Sequence, residues 1–207
     1  MLLVRMGRPR EFDEQEVLDR ALGAFWTHGY EATSMADLTQ AMGLAKGSIY
    51  KGFGDKRSLL LRALDAYLEA GRAGYGAVDD PDLPAAQVLR TWLRKVAALA
   101  TDGFPRKGCF GVNCATELGP HDAEVRDLIE AHNRWLHQQL ARTIQRGVRA
   151  GELRGDLRPT EAARWVTTVM AGMQVRGKLG ISRREANRMA ELAVEALADN
   201  SNNKEHG

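Results

Sequence analysis

Between Gly29 and Gly54 the chain has room for only two short helices, and Gly43 sits where one must end and the other begin. Ser34 is placed to cap the first, with Asp37 three positions on, and Met35, Leu38 and Met42 give it an inward face. Gly43 supplies the turn, because glycine adopts left-handed backbone at no steric cost. The second helix is expected over residues 45–53, with Gly54 and Asp55 breaking it and capping the next. Two short helices joined by a glycine turn are the frame of a helix-turn-helix, which commits this part of the chain to a small helical domain.

Helical periodicity continues on both sides. Asp13 is expected to cap a first helix, with Glu16 completing a capping box and Val17, Leu18, Ala21, Leu22 and Phe25 on one face up to Gly29. A fourth helix carries Leu59, Leu60, Ala63, Leu64, Tyr67 and Leu68. Residues 71–84, rich in Gly, Asp and Pro, read as a loop. Further helices are expected over 85–101, 109–118, 122–150, 159–179 and 183–198, the last capped by Ser182 with Glu185 three on. No run alternates with period two, so the fold is expected to be all-α. The domains expected are a flexible basic arm (1–12), a three-helix DNA-binding domain containing the helix-turn-helix (13–57), a helical bundle for effector binding and dimerisation (58–199) and a disordered tail (200–207).

At 207 residues the chain can bury a sizeable core, and its 44% hydrophobic and 27% charged residues are ordinary for a globular protein. No apolar run approaches the ~20 residues of a membrane helix. Leu2-Leu3-Val4 is too short for the apolar core of a signal peptide, and Met6, before Gly7, would serve as a start as well as Met1. Cys109 and Cys114 are too few for a disulfide framework, so a cytoplasmic setting is expected. Their spacing fits neither a zinc site nor a redox motif, and His132 and His137, five apart, fall on different helix faces; no metal or cofactor is expected. The chain lacks a phosphate loop, a nucleophile elbow and a zinc-helix motif, which argues against an enzyme.

The net charge of +2 matters less than its distribution. A recognition helix must be narrow where it enters a major groove about 12 Å wide, and Ala45, Gly47 and Ser48 supply that narrowness. Lys46 and Ser48 offer donors to bases or phosphates, Lys51 and Lys56 offer charge to the backbone, and Tyr50 offers a hydroxyl. Thr33 and Ser34 place hydroxyls and first-turn N–H groups where a phosphate would sit. Arg8 and Arg10, held extended by Pro9, suit a narrow minor groove. A helical adaptor that binds a protein partner is the rival reading. It leaves the convergence of these groups at one end unexplained.

Residues 8 to about 60 resemble the DNA-binding domain of the tetracycline-repressor (TetR) family. The resemblance rests on Phe25, Gly29-Tyr30, Thr33-Ser34, Met35, Leu38, Ala41, Gly43-Leu44, Lys46-Gly47-Ser48, Ile49-Tyr50, Phe53, Lys56 and Leu59. It implies a homodimer bound to a near-palindromic double-stranded DNA operator, usually as a repressor, and released by an effector. Many members carry two bulky residues between the positions of Tyr50 and Phe53; this chain has Lys51 and Gly52, so no contact is carried over to Gly52.

The body offers two expectations. Trp165, Val169 and Met173, with Met189, Ala193 and Leu197, are expected to form a dimer interface from the last two helices. Trp92, Phe104, Phe110, Trp135 and Met170 are expected to line a small-molecule effector site. Cys109, following Arg106 and Lys107 at a helix start, is a candidate for a thiol-reactive effector, while small buried cysteines remain the alternative for both thiols.

Overall fold

The computed structural model describes residues 13–76, 79–102 and 107–198. The arm, the tail and Phe104 lie outside them. Among the described residues are nine α-helices: α1 (Glu14–His28), α2 (Met35–Met42), α3 (Lys46–Phe53), α4 (Lys56–Gly76), α5 (Ala85–Thr101), α6 (Phe110–Glu117), α7 (Ala123–Arg149), α8 (Pro159–Lys178) and α9 (Arg183–Glu195). The only extended pairing among those residues is an antiparallel bridge between Leu153 and Ala198. The all-α expectation holds.

Two compact units meet at residues 63 and 64, inside α4. In the first, α1 buries Val17, Leu18, Ala21 and Phe25 together with Leu38 and Met42 of α2, Ile49 and Phe53 of α3, and Leu59, Leu60 and Ala63 from the start of α4. Local chemistry sets the helix ends. Asp13 accepts from the N–H groups of Gln15 and Glu16, while the Glu16 carboxylate holds Arg20 one turn on instead of closing a capping box. Ser34 and Asp37 form the full reciprocal box on α2, and Gly43 ends it at φ 67°.

In the second unit α5 packs against α7, α8 and α9. Tyr75, Leu89, Leu93, Leu140, Ile144, Val166, Met173 and Ala190 belong to its buried core. Arg90 and Arg94 share Glu191, at 3.0 and 2.7 Å, and so tie α5 to α9. The expected loop begins later than the glycines indicated, because α4 continues to Gly76. Tyr75 explains this. Its ring is buried edge-on against Trp92 and Trp135, and its hydroxyl meets Thr143 Oγ1 at 3.0 Å. Tertiary burial of that turn outweighs the poor helix propensity of exposed Gly71 and Gly74.

The residues expected on a dimer face divide into three groups. Met173, Ala193 and Leu197 are buried in the chain's own core. Met173 lies two turns beyond Val166 on the inward face of α8, and Ala193 and Leu197 continue the inward row of Ala186 and Ala190 on α9. Val169 and Met189 are half-buried. Trp165 is 41% exposed and shares the outer side of α8 with Gly172, Val175 and Leu179; Leu192 is exposed on α9. Both faces of α8 are apolar, and periodicity alone had assigned Met173 to the wrong one.

Gly177 marks the closest helix approach. A Cβ there would stand 2.2 Å from the Ala100 carbonyl oxygen. Gly177→Ala is expected to destabilise the second unit by about 1–3 kcal/mol, the usual scale of overpacking. Gly74→Ala, in open space, is expected to stabilise by up to about 1 kcal/mol. Urea unfolding monitored by circular dichroism reads both; effects of the same sign would refute the packing account.

Candidate nucleic-acid interface

Of the eight residues of α3, all but half-buried Gly52 are either buried or exposed. Ile49 and Phe53 are buried, whereas Lys46, Gly47, Ser48, Tyr50 and Lys51 face solvent, Tyr50 at 46% exposure. Ala45 occupies the N-cap without a side-chain bond, so the leading end of the helix is as narrow as its residues allow. Lys46 Nζ stands 5.8 Å from the Tyr50 ring, one turn apart. The exposed face therefore carries two ammonium groups and a phenol, and α3 contains no acid.

Ser34 is exposed at the start of α2, and its hydroxyl is already shared with Asp37, donating to Oδ2 at 2.7 Å and accepting from the Asp37 N–H at 3.2 Å. Those Ser34 bonds hold the Asp37 carboxyl below the usual carboxylate range. Met35 and Ala36 remain as first-turn N–H donors for an anion. Thr33 is a correction: it is fully buried, its hydroxyl donates to the Gly29 carbonyl and its N–H to Tyr30, so it shapes the turn and presents nothing outward. Lys56 packs its ammonium 4.2 Å from the Tyr30 ring, near the Glu31 carbonyl.

Arg62 escaped the sequence reading. Its guanidinium lies 4.7 Å from the Phe53 ring, donates to the Gly52 carbonyl at 2.9 Å and pairs with Glu14. This clamp fixes the C-terminal end of α3 to α1. Glu14 and Arg62 are 48 residues apart, so no local spacing could reveal the pair. Arg8 and Arg10 lie outside the described residues.

In the second unit the expected effector residues meet through two tyrosines that sequence reasoning passed over. Tyr75 gathers Trp92 and Trp135, while Tyr67 meets Phe110 edge-on at 5.7 Å and donates to Cys109 Sγ at 3.3 Å. Met170 is half-buried against the same core. His132 lies beside Trp135; burial, with Arg72 nearby, pushes its imidazole down to about 4, so it is neutral at physiological pH. Two open grooves, of about 390 and about 750 Å³, are lined by other residues. Burial pushes the Cys114 thiol up to about 12.

Comparison with known proteins follows the same division. The family described as bacterial regulatory proteins, tetR family, matches residues 17–63, and the tetracyclin repressor-like C-terminal domain matches residues 85–193. The chain is 30% identical to the HTH-type transcriptional repressor ComR of Escherichia coli over 183 residues, 85% of this chain and 84% of ComR. It is 33% identical to the uncharacterized HTH-type transcriptional regulator YezE of Bacillus subtilis, over 73% of this chain and 78% of YezE. Among solved structures, a cysteine mutant of the TetR family transcriptional regulator CifR, complexed with 26 bp double-strand operator DNA, superposes with a TM-score of 0.80 at 33% identity, covering 92% of this chain and 100% of that one.

The class is that of helical regulators with an N-terminal helix-turn-helix followed by a larger helical domain. This chain belongs to the tetR family of bacterial regulatory proteins.

The raised Cys114 pKa has a direct consequence for reactivity. The folded protein holds this proton up to about pH 12, whereas an unfolded thiol loses it near 9, so the contribution to stability is complete below pH 9 and is lost as pH rises beyond it. Iodoacetamide at pH 8 is expected to leave Cys114 unlabelled in native protein and to label it in urea, as read by mass spectrometry. Equal labelling in both would refute the assignment.

Proposed function

We propose that this chain is a dimeric DNA-binding transcriptional repressor whose operator affinity is set by an effector in its second unit. The observation that carries this reading is the exposed face of α3, where Lys46, Ser48, Tyr50 and Lys51 surround a start made of Ala45 and Gly47. Such a face enters the major groove narrow end first. Lys46 and Ser48 then reach base edges, Tyr50 and Lys51 reach phosphates, and Lys56 and the Ser34 end of α2 approach the neighbouring backbone. The arm, with Arg8 and Arg10, follows the minor groove.

Two copies pair through the outer apolar row of α8 and α9, with Trp165, Val175, Leu179 and Leu192 at its centre and exposed Gly172 allowing close approach. A two-fold dimer presents two recognition helices and therefore reads a near-palindromic operator. Effector binding between Tyr67, Tyr75, Trp92, Phe110, Trp135 and Met170 favours one of two dimer arrangements, and its differential affinity sets the extent of release. Cys109, within reach of the Tyr67 hydroxyl, is where a thiol-reactive effector would act on the same cluster.

Binding to DNA flanking the protein's own gene tests the first point. Lys51→Ala is expected to lower the slope of log affinity against log salt by about 1, and Lys46→Ala to weaken binding by about 1–3 kcal/mol. Unchanged affinity in both would move recognition away from α3. Genome-wide selection that returned no bound DNA would favour the adaptor reading.

Sedimentation tests the second point. Trp165→Glu combined with Leu192→Glu is expected to give folded monomers that no longer hold the operator. A dimer surviving both charges would place the interface elsewhere.

A further inference from the structure

The groove between α7 and the start of α8 is lined by three cations and no acid. Arg142, Arg146 and Arg149 lie on one face of α7, and Gln145, Pro159 and Thr160 help to complete an open groove of about 750 Å³. Seven residues of α-helix advance about 10 Å, so three guanidinium groups are strung over roughly that length. Several arginines elsewhere in the second unit are matched with carboxylates, among them Arg90 and Arg94 with Glu191, Arg154 with Asp156, Arg158 with Glu161 and Arg188 with Glu195, whereas Arg164, Arg176 and Arg184 stand singly; what sets the groove apart is three guanidinium groups side by side. Among the described residues, Arg142 and Arg149 have neither an ion pair nor a hydrogen bond.

Arg146 is held from one side only. Its Nη1 donates to the Asp80 carbonyl at 3.2 Å, and its Nη2 stands 3.9 Å from Asp79 Oδ1, beyond hydrogen-bond reach. Nε and Nη2 are buried without an acceptor among the described residues. A buried guanidinium donor left unpaired is costly and calls for a missing partner. Favourable placement of cations at a helix C-terminus accounts for Arg149. It does not account for Arg142 two turns earlier, or for the orphaned donors of Arg146.

We propose that this groove binds a small polyphosphate, either an inorganic chain or the phosphate tail of a nucleotide. Guanidinium groups pair with phosphoryl oxygens in a bidentate fork. A row of about 10 Å matches several successive phosphoryl groups better than one tetrahedral anion, with Gln145 and Thr160 as neutral donors. The site is separate from the aromatic cluster assigned to the effector.

The groove also has a route to α4. Thr143 Oγ1 donates to Asp79 Oδ1 at 2.9 Å and meets the Tyr75 hydroxyl at 3.0 Å in the last turn of that helix. A polyanion on Arg146 competes with Asp79 and Asp80 for the same guanidinium and so alters the anchoring of that turn. Any effect on operator binding rests on the regulator reading; the binding site itself does not.

Isothermal titration of the full-length protein with sodium tripolyphosphate, alongside sulfate at matched ionic strength, tests the proposal. A saturable site is expected, at least about 10-fold tighter for tripolyphosphate than for sulfate. Arg142→Ser with Arg149→Ser, both exposed, is expected to weaken it by at least about 10-fold, while Lys95→Ser with Arg184→Ser, an equal loss of charge outside the groove, leaves it unchanged. No binding, equal affinity for sulfate, or equal losses in the two double variants would each overturn the proposal. Tripolyphosphate binding in a protein that selects no DNA would sink the regulator reading alone, and operator binding without tripolyphosphate binding would sink the groove alone.

Discussion

An eight-residue helix is marginal in water, because the cost of nucleating it is spread over too few hydrogen bonds. Yet α3, the element that presents Lys46 to Lys51, is eight residues long. It persists because Ile49 and Phe53 are buried and because Arg62 holds its end by the Gly52 carbonyl and the Phe53 ring. The exposed face is thus a by-product of the buried one. Its lysines lie on the side that core packing leaves free, so their spacing is not set by the core.

What was legible in the sequence was local. The Ser34–Asp37 box, the left-handed Gly43 and the apolar stripes of α1 and α5 all depend on residues within a turn or two of one another. What was illegible depended on distant partners. Arg62 meets Glu14 across most of the first unit, and Tyr75 carries α4 past two glycines because of Thr143, Trp92 and Trp135. Thr33 failed as a phosphate contact for a subtler reason: a hydroxyl beside a helix start serves a carbonyl of the preceding turn as readily as an external anion.

The same limit explains α8. Apolar residues on two sides of one helix announce burial on both, but only packing decides which side faces the chain's own core. Val166, Met173 and Gly177 take the inner side, and Trp165, Val175 and Leu179 are left outside. The aromatic cluster behaves similarly. Trp92, Trp135 and Phe110 were visible as apolar residues, whereas of the tyrosines that gather them Tyr67 looked like an ordinary member of the α4 stripe and Tyr75 fell in an expected loop.

The contact of Gly177 with Ala100 has a mechanical meaning as well. Two backbones that touch leave no compressible layer between them, so α5 and α8 can neither roll nor slide past each other without collision. Arg183 fastens the start of α9 to the end of α5 through Asp102 and Thr101, and Glu191 fastens its middle through Arg90 and Arg94. These three helices act as a chassis. Within the second unit α7 lies against both α5 and α8, so any displacement of α7 is made relative to this rigid frame.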